Sequence, residues 1–186
     1  IDEYADQQVV VGIDSYSFTG GNGDDIPYGI TNCGQLQTMW EQLDANFKLL
    51  NDVDCSVSAS WNGGRGFSPV GSDGNRFTGS FDGNGFIISN LTILRADNSQ
   101  NFNSQEDEFD VGLFGSTDNA TLEKIKITSS KVQGFENVGG IVGVMNGGVL
   151  IDSSFNIGTS DNSCVSGHCV WARYGYGGGG LVGKAV

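Results

Sequence analysis

The tetrapeptide Gly-apolar-apolar-Gly occurs three times in the second half of this chain. The copies are Gly112-Leu113-Phe114-Gly115, Gly140-Ile141-Val142-Gly143 and Gly180-Leu181-Val182-Gly183. The interval from the second copy to the third is longer by twelve positions than the interval from the first to the second. We place the twelve extra residues at 161–172, a range that contains Cys164 and Cys169. Because insertions in repeat proteins fall into loops, we expect a fixed repeat with a cysteine-bearing insertion in one copy.

Between the glycine motifs, apolar and polar residues alternate with the period of two that is typical of strands. In the segment 122–128, Ile125 and Ile127 face one way while Lys124 and Lys126 face the other. In the segment 149–157 the predicted inward residues are Val149, Ile151, Ser153, Phe155 and Ile157. Short strands bounded by Gly and Asn at this repeat length predict an all-β fold, a right-handed parallel β-helix or solenoid.

The motif glycines, Gly112, Gly115, Gly140, Gly143, Gly180 and Gly183, are predicted to be structural. We expect them to supply positive φ angles at the corners and to let neighbouring turns approach closely. The segment Asp82-Gly83-Asn84-Gly85 is a strong turn signal between two further strands.

One segment departs from the strand pattern and predicts a helix. Asn32 is a suitable N-cap, and Leu36, Met39, Trp40 and Leu43 then recur at the spacing of an amphipathic helix. A solenoid needs a cover over its first turn, so we expect this stripe to be buried there. Truncation of Trp40 to Ala is then expected to cost about 3–5 kcal/mol.

These patterns divide the chain into three parts. Residues 1–29 form a leader strand and loop, residues 30–60 a helical cap with a disulfide, and residues 61–186 the solenoid turns. The last glycine motif opens a turn that the remaining residues cannot complete. We therefore expect further turns after Val186, or a second copy docked end to end in an open filament.

Four cysteines allow three disulfide pairings. The local pairing is favoured, because Cys33 and Cys55 flank the predicted helix while Cys164 and Cys169 lie together in a later loop. The alternative is a zinc site made of Cys164, His168 and Cys169, but no Cys-x-x-Cys pair supports it. An even cysteine count in an acidic, Lys-poor chain fits an oxidising compartment.

Composition excludes several classes of function. The 186 residues include 30 Gly and 2 Pro, and 9 basic against 22 acidic residues give a net charge of −13. That charge repels nucleic acid, so we expect no nucleic-acid partner. No apolar run reaches the roughly 20 residues of a membrane span, and no signal-like leader is present, so we expect a mature or excised extracellular segment. Asn90 and Asn119 begin Asn-x-Thr sequons, which makes them candidate glycosylation sites.

Several of these motifs, in one order, resemble the GLUG-motif repeats of microbial surface proteins. The resemblance covers roughly residues 30–186. Its carriers are the segments 36–39, 47–54, 67–71, 77–85 and 88–93 and the three glycine motifs. Such repeats occur in adhesins and in non-catalytic regions of IgA-protease-like zinc metallopeptidases. The resemblance implies a parallel β-helix with a helical lead-in and no catalytic set. The chain departs from the pattern at 1–29, at 98–110 and around Cys164–Cys169.

The sequence contains no clear catalytic or cofactor-binding motif. His168 is the one histidine, and no Gly-x-Ser-x-Gly elbow accompanies it. The Gly-x-Gly-x-x-Gly match at 178–183 is a by-product of the repeat. The carboxylate pairs Asp52 with Asp54 and Asp24 with Asp25 fit turns better than acid–base chemistry. Calcium at Glu106, Asp107, Glu108 and Asp110 is conceivable, but the spacing matches no known calcium loop.

We therefore predict a non-catalytic extracellular module, structural or adhesive, without a cofactor. Its expected partners are other chains or copies of itself end to end, with surface carbohydrate or a host protein as candidate ligands. Two alternatives stay open, the accessory β-helix of a secreted zinc peptidase and a polysaccharide-active β-helix enzyme. A His-Glu-x-x-His helix further along the native protein would identify the peptidase.

Overall fold

A computed structural model describes residues 17–95, 109–156, 170–172 and 178–186. Within these ranges the chain consists mostly of short strands, with one short α-helix and two 3₁₀ segments. The predicted all-β class is confirmed.

The helical segments lie among the first strands, and the rest of the described chain consists of short strands and their connections. The first part contains β1 (Tyr28–Ile30), α1 (Cys33–Thr38), a 3₁₀ turn (Met39–Glu41), β2 (Asn46–Leu49), β3 (Val53–Asp54) and a 3₁₀ segment (Ser56–Gly64). Then come β4 (Ser80–Asp82), β5 (Ile87–Ser89), β6 (Thr92–Leu94), β7 (Phe109–Val111) and β8 (Phe114–Asp118). They are followed by β9 (Thr121–Glu123), β10 (Lys126–Thr128), β11 (Lys131–Gly134), β12 (Glu136–Gly139) and β13 (Val142–Asn146). The last five are β14 (Val149–Ile151), β15 (Ser154–Asn156), β16 (Val170–Ala172), β17 (Gly178–Gly179) and β18 (Val182–Ala185).

The strands of the described ranges form five sheets, and every ladder in these sheets is parallel. Sheet 1 has the order β1-β2-β4-β9-β14, sheet 2 has β15-β10-β5-β3, sheet 3 has β16-β11-β6, sheet 4 has β17-β12-β7 and sheet 5 has β18-β13-β8. From β4 onward the chain visits the sheets in this order, and each strand pairs with the strand five positions later. We call each set of five consecutive strands a cycle. The three cycles are β4–β8, β9–β13 and β14–β18.

The register between the second and third cycles is constant where no insertion intervenes. Leu122 pairs with Leu150, and Ile127 pairs with Phe155. The Ile125 N–H donates to the Ser153 hydroxyl, and these two residues are 28 positions apart, as are the two strand pairs. The separation is longer by ten positions from Val132 to Val170 and by twelve from Val138 to Gly178. Ten of the twelve extra residues therefore lie before Val170 and two after Ala172. The predicted insertion at 161–172 is wrong at its end, because β16 belongs to the repeat.

Corners between sheets are made by residues with positive φ that recur at the same place in successive cycles. Lys124 and Asp152 occupy one corner, with φ of 52° and 49°. Asn90 and Ser129 occupy the next, with φ of 58° and 50°. Asn and Asp tolerate this left-handed conformation better than most residues. The expectation that the motif glycines supply positive φ is wrong, since none of the six is among the positive-φ residues.

A corner residue also shifts the phase of the alternation, which changes two predicted faces. Ile125 and Ile127 are fully buried, as predicted. The predicted inward orientation of Val149 and Ile151 is wrong, because they are 43% and 45% exposed and Leu150 faces Leu122 in their place. The segment is two strands broken at Asp152 rather than one. Phe155 packs against the core as expected, and Ile157 lies outside the described residues.

Four phenylalanines from the first cycle and the segment before it pack together in the core. The Phe77 ring centroid lies 6.2 Å from that of Phe47 and 4.8 Å from that of Phe114. Phe81 meets Phe114 edge-on at 5.7 Å. All four rings are buried.

The turn signal at 82–85 does separate two strands, but β4 and β5 lie in different sheets and form no hairpin.

The helical segment packs apolar residues into the core. Asn32 caps α1, because its side chain accepts a hydrogen bond from the Gln35 N–H at 2.9 Å. Leu36 and Met39 are fully buried, whereas Trp40 is 54% exposed. The predicted burial of Trp40 is wrong because the α-helix ends at Thr38. The 3₁₀ turn that follows has three residues per turn, which rotates Trp40 off the buried stripe.

Covalent and polar contacts fix the helix to the sheets. Cys33 is bonded to Cys55, which directly follows β3, and the Cα atoms are 5.1 Å apart. Gln37 both donates to the Ser68 carbonyl at 3.0 Å and accepts from the Ser68 N–H at 2.8 Å. Cys164 and Cys169 lie outside the described residues.

The packing of the helical segment should contribute to stability through Leu36 and not through Trp40. Leu36→Ala leaves a cavity in a fully buried site and should cost about 2–5 kcal/mol. Trp40→Ala removes an exposed ring and should change the unfolding free energy by less than about 0.5 kcal/mol. Urea unfolding of both variants measures this. A larger loss for Trp40→Ala than for Leu36→Ala would contradict the placement of the helix.

Candidate functional site

The second glycine of each motif lies in a column where successive cycles touch through their backbones. The column contains Gly71, Gly115, Gly143 and Gly183. A Cβ on Gly115 would lie 2.4 Å from the Gly71 carbonyl oxygen, one on Gly143 2.6 Å from that of Gly115, and one on Gly183 2.7 Å from that of Gly143. No real Cβ fits at such distances. Gly115, Gly143 and Gly183 are therefore required by close approach rather than by their φ angles, whereas Gly71 also has a positive φ of 78°.

The column has a first member that the sequence motif alone does not reveal. Val70 pairs with Phe114 in an isolated parallel bridge, so Gly71 occupies the position of Gly115 one cycle earlier. The sequence signal for Gly71 is the segment Pro69-Val70-Gly71, which matches only the last two residues, apolar and Gly, of the tetrapeptide. The half-motif is recognisable once the register is known.

The first glycine of each motif has an environment that differs between copies. A Cβ on Gly112 would lie 3.0 Å from the Gly139 carbonyl oxygen, and one on Gly140 would lie 2.4 Å from the Phe155 ring. A Cβ on Gly180 would meet no atom within 4 Å. A Cβ would come within 3.0 Å of a neighbouring atom at five of the six motif glycines, but not at Gly180.

Alanine substitutions separate the two kinds of glycine. Gly143→Ala places a methyl group 2.3 Å from the Asp110 carbonyl carbon, so the backbone must move, at a cost of about 1–3 kcal/mol or more. Gly180→Ala is the matched control, because it adds the same atom to open space. Thermal and denaturant unfolding of the two variants provides the comparison. Equal stabilities would contradict the close packing of the column.

Asp110 is a half-buried carboxylate at a positive-φ position of β7. It accepts a hydrogen bond from Asn137 Nδ2 at 2.8 Å, and Asn137 occupies the same position of the next cycle. Burial, with a smaller contribution from Asp73, raises the pKa of Asp110 despite the Asn137 hydrogen bond. The other proposed calcium ligands, Glu106, Asp107 and Glu108, lie outside the described residues.

The raised pKa of Asp110 predicts a specific dependence of stability on pH. The folded protein holds this proton more tightly than the unfolded chain, so the stabilisation is present below pH 3.8, the ordinary value, and is lost as the pH rises through the folded pKa. Asp110→Asn keeps the shape and the acceptor for Asn137 without the buried charge. At pH 7 the variant should be more stable than the parent, and at pH 3 the two should be equal. A variant that is less stable at pH 7 would contradict this.

The carboxylate pair Asp52 and Asp54 is engaged in turn and corner hydrogen bonds. Asp52 accepts from the Ile87 N–H at 2.8 Å. Asp54 accepts from Asn90 Nδ2 at 2.9 Å and from the Ser56 N–H at 3.0 Å. The hydrogen bond from Asn90, with that from Ser56, lowers the pKa of Asp54. A carboxylate held ionised by such donors is a poor general acid.

Both sequon asparagines are exposed corner residues. Asn90 and Asn119 have φ of 58° and 50°, and each is followed by a buried apolar residue, Leu91 or Ala120. The threonines Thr92 and Thr121 then begin strands β6 and β9. This arrangement is a repeat corner, so the sequons have a structural origin whether or not they are modified. Glycosylation stays a prediction.

The outer face of sheet 1 changes character along the cycles. One register column contains Lys48, Asp82, Glu123 and Ile151. Lys48 Nζ lies 3.3 Å from Asp82 Oδ2, and Lys124 Nζ lies 2.8 Å from Glu123 Oε1. The ion-paired surface thus ends at β14, where the exposed residues Val149 and Ile151 are apolar.

The two ends of sheet 1 differ in whether their edge is covered. At β1, Gly29 donates to the Thr19 carbonyl at 3.1 Å, and Thr19 donates back to the Gly29 carbonyl at 2.8 Å. At β14, the Val149 N–H bonds Ala120 and the Ile151 carbonyl bonds Lys124, both toward β9. Because successive residues of a strand direct their backbone groups to opposite sides, the Leu150 N–H and C=O face away from β9. In the described part of the chain, β14 has a neighbour on one side only.

Sheet 2 repeats this arrangement. Ser154 donates to Ile125 and Asn156 accepts from Ser129, so Phe155 directs its backbone groups away from β10. Neither β14 nor β15 contains a charged residue. We define the open edge as β14 and β15. The open edge and the glycine column together are the candidate functional site.

The remaining possibilities are the predicted alternative of a zinc site, other metal-ligand groups and membrane-spanning helices. His168, Cys164 and Cys169 are outside the described residues. Among residues 17–95, 109–156, 170–172 and 178–186, no three His, Cys, Asp or Glu side chains are grouped as metal ligands would be. No helix in those ranges has the length and apolar character needed to cross a bilayer.

Two curated proteins resemble the chain over most of its length. It is 35% identical over 139 residues to halomucin of Haloquadratum walsbyi, a match that covers 70% of this chain and 1% of halomucin. It is 30% identical over 162 residues to a protein described as a Gly-rich membrane protein of Evansella cellulosilytica, covering 83% of this chain and 17% of that protein. The chain therefore spans a small part of both relatives. No family model matches the chain, so the resemblance to GLUG repeats stays a prediction. No solved structure matches it.

Proposed function

We propose that this chain is a right-handed parallel β-solenoid that serves as a non-catalytic structural or adhesive module at a cell surface. The observation that carries the proposal is the strand order. Every fifth strand returns to the same sheet in parallel register, which is the topology of a chain that coils around one axis. Parallel connections of this kind are almost always right-handed, which is the reason for the proposed hand.

A surface location is supported by chemistry and by the relatives. Cys33 and Cys55 are both buried and joined, and structural disulfides of this kind persist in oxidising compartments outside the cytosol. One relative is named a halomucin and the other a membrane protein, and both names fit a protein at the cell boundary. We extend that location to this chain as part of the proposal.

The non-catalytic assignment is supported by what the candidate carboxylates do. Asp52 accepts from the Ile87 N–H, and Asp54 accepts from the Ser56 N–H and the Asn90 side chain. Asp110 accepts from Asn137, the equivalent residue of the next cycle. Acid–base chemistry needs a carboxyl group that is free to exchange a proton with a substrate. These groups instead stabilise turns and corners, which suits the GLUG-like repeat module that we propose.

Activity assays test the catalytic part of this proposal. The purified chain and its Asp52→Asn and Asp54→Asn variants are incubated with acidic and neutral polysaccharides, and new reducing or unsaturated ends are measured. We expect no product from any of the three. Product formed by the parent and lost in either variant would overturn the proposal in favour of a polysaccharide-active enzyme.

Surface labelling tests the location. Antibodies raised against the purified chain should label intact cells that express the native protein, and brief protease treatment of those cells should remove the signal. Labelling that requires permeabilised cells would contradict the proposed location. A cytoplasmic marker protein serves as the control for cell integrity.

A further inference from the structure

We propose that the open edge of β14 and β15 binds one occupant, a further five-strand cycle of the same polypeptide, in parallel register. This inference rests on the solenoid proposed above and goes further by naming the partner and its required residues.

The first step of the argument is the contrast between the two ends. The edge-facing residue of β1 is Gly29, and Thr19 satisfies both its N–H and its C=O. The edge-facing residues of the open edge are Leu150 and Phe155. Natural proteins protect exposed sheet edges with charge, proline or a covering segment, and β14 and β15 have neither charged residues nor proline.

The second step is continuity with the interfaces between the existing cycles. Sheet 1 already repeats one parallel interface from β4 through β9 to β14, and sheet 2 repeats it from β5 through β10 to β15. A further cycle would extend these interfaces and supply partners for the Leu150 and Phe155 backbone groups. Both relatives are much longer than this chain, which covers 1% and 17% of them, so a source in the same polypeptide is reasonable.

The residues that repeat at equivalent positions in successive cycles specify what the occupant must contain. It needs apolar residues opposite Leu150 and Phe155, because each of those side chains continues a core column. It needs glycine opposite Gly183, since each earlier member of that column excludes a Cβ. It also needs a residue that tolerates positive φ opposite Asp152. A sequence without glycine at the column position should not pair, which makes the site selective.

A chain extended by its own second cycle tests the proposal. Asp118 pairs with Asn146 in one interface, and Met145 pairs with Ala185 in the next, so Val186 is the register equivalent of both Asp118 and Asn146. A second copy of 119–146 is therefore added directly after Val186. This places the added Leu122 opposite Leu150 and the added Gly143 opposite Gly183. The matched control adds the same copy with Gly143→Val.

Amide hydrogen exchange, read residue by residue, is the measurement. In the parent chain the Val149, Ile151 and Gly29 amides should be protected, while the Leu150 and Phe155 amides exchange fast. The extension should slow Leu150 and Phe155 by on the order of 100-fold, and the control extension should not. Unchanged exchange of these two amides in the extended chain would overturn the proposal.

Two other outcomes are distinct. Fast exchange at Ile151 in the parent would mean that the parallel ladder itself is absent, and the solenoid would fail before the edge is tested. Protection of Leu150 and Phe155 that rises with the concentration of the parent would assign the edge to a second copy and overturn the choice of occupant.

Discussion

Backbone contact between successive cycles is the constraint on which the rest of this structure depends. Parallel ladders hold the cycles in register, and at the glycine column the chains approach so closely that a Cβ would lie between 2.4 Å and 2.7 Å from a carbonyl oxygen. Small residues are thus imposed at Gly115, Gly143 and Gly183. The parallel ladders keep equivalent residues of the second and third cycles at a constant separation where no insertion intervenes.

Local periodicity predicted those parts of the fold that depend on local rules. The N-cap at Asn32, the buried pair Ile125 and Ile127, and the bond between Cys33 and Cys55 follow from spacing within short segments, and the structure contains all three. The glycine tetrapeptide predicted the repeat and its length. The structural importance of Gly143 could also be read from sequence, although the positive φ expected of it was wrong.

The remaining features depend on geometry that local periodicity does not contain. A positive φ at Asp152 shifts the alternation by one residue, so Val149 and Ile151 face solvent although the pattern placed them inside. A change from α to 3₁₀ geometry after Thr38 exposes Trp40 in the same way. An incomplete last turn was expected from the sequence, but the edge-facing position of Leu150 was not, because the side to which a backbone N–H points is set by the pairing of the strand in its sheet.

Cross-strand nuclear Overhauser effects in the isotopically labelled chain test the parallel repeat most directly. Parallel strands connect residues whose numbers differ by a constant, whereas antiparallel strands connect residues whose numbers have a constant sum. The account predicts contacts at one constant difference, from Thr121 to Val149, from Leu122 to Leu150 and from Ile127 to Phe155. Contacts with a constant sum across residues 82–87, as in a hairpin joining β4 to β5, would contradict it.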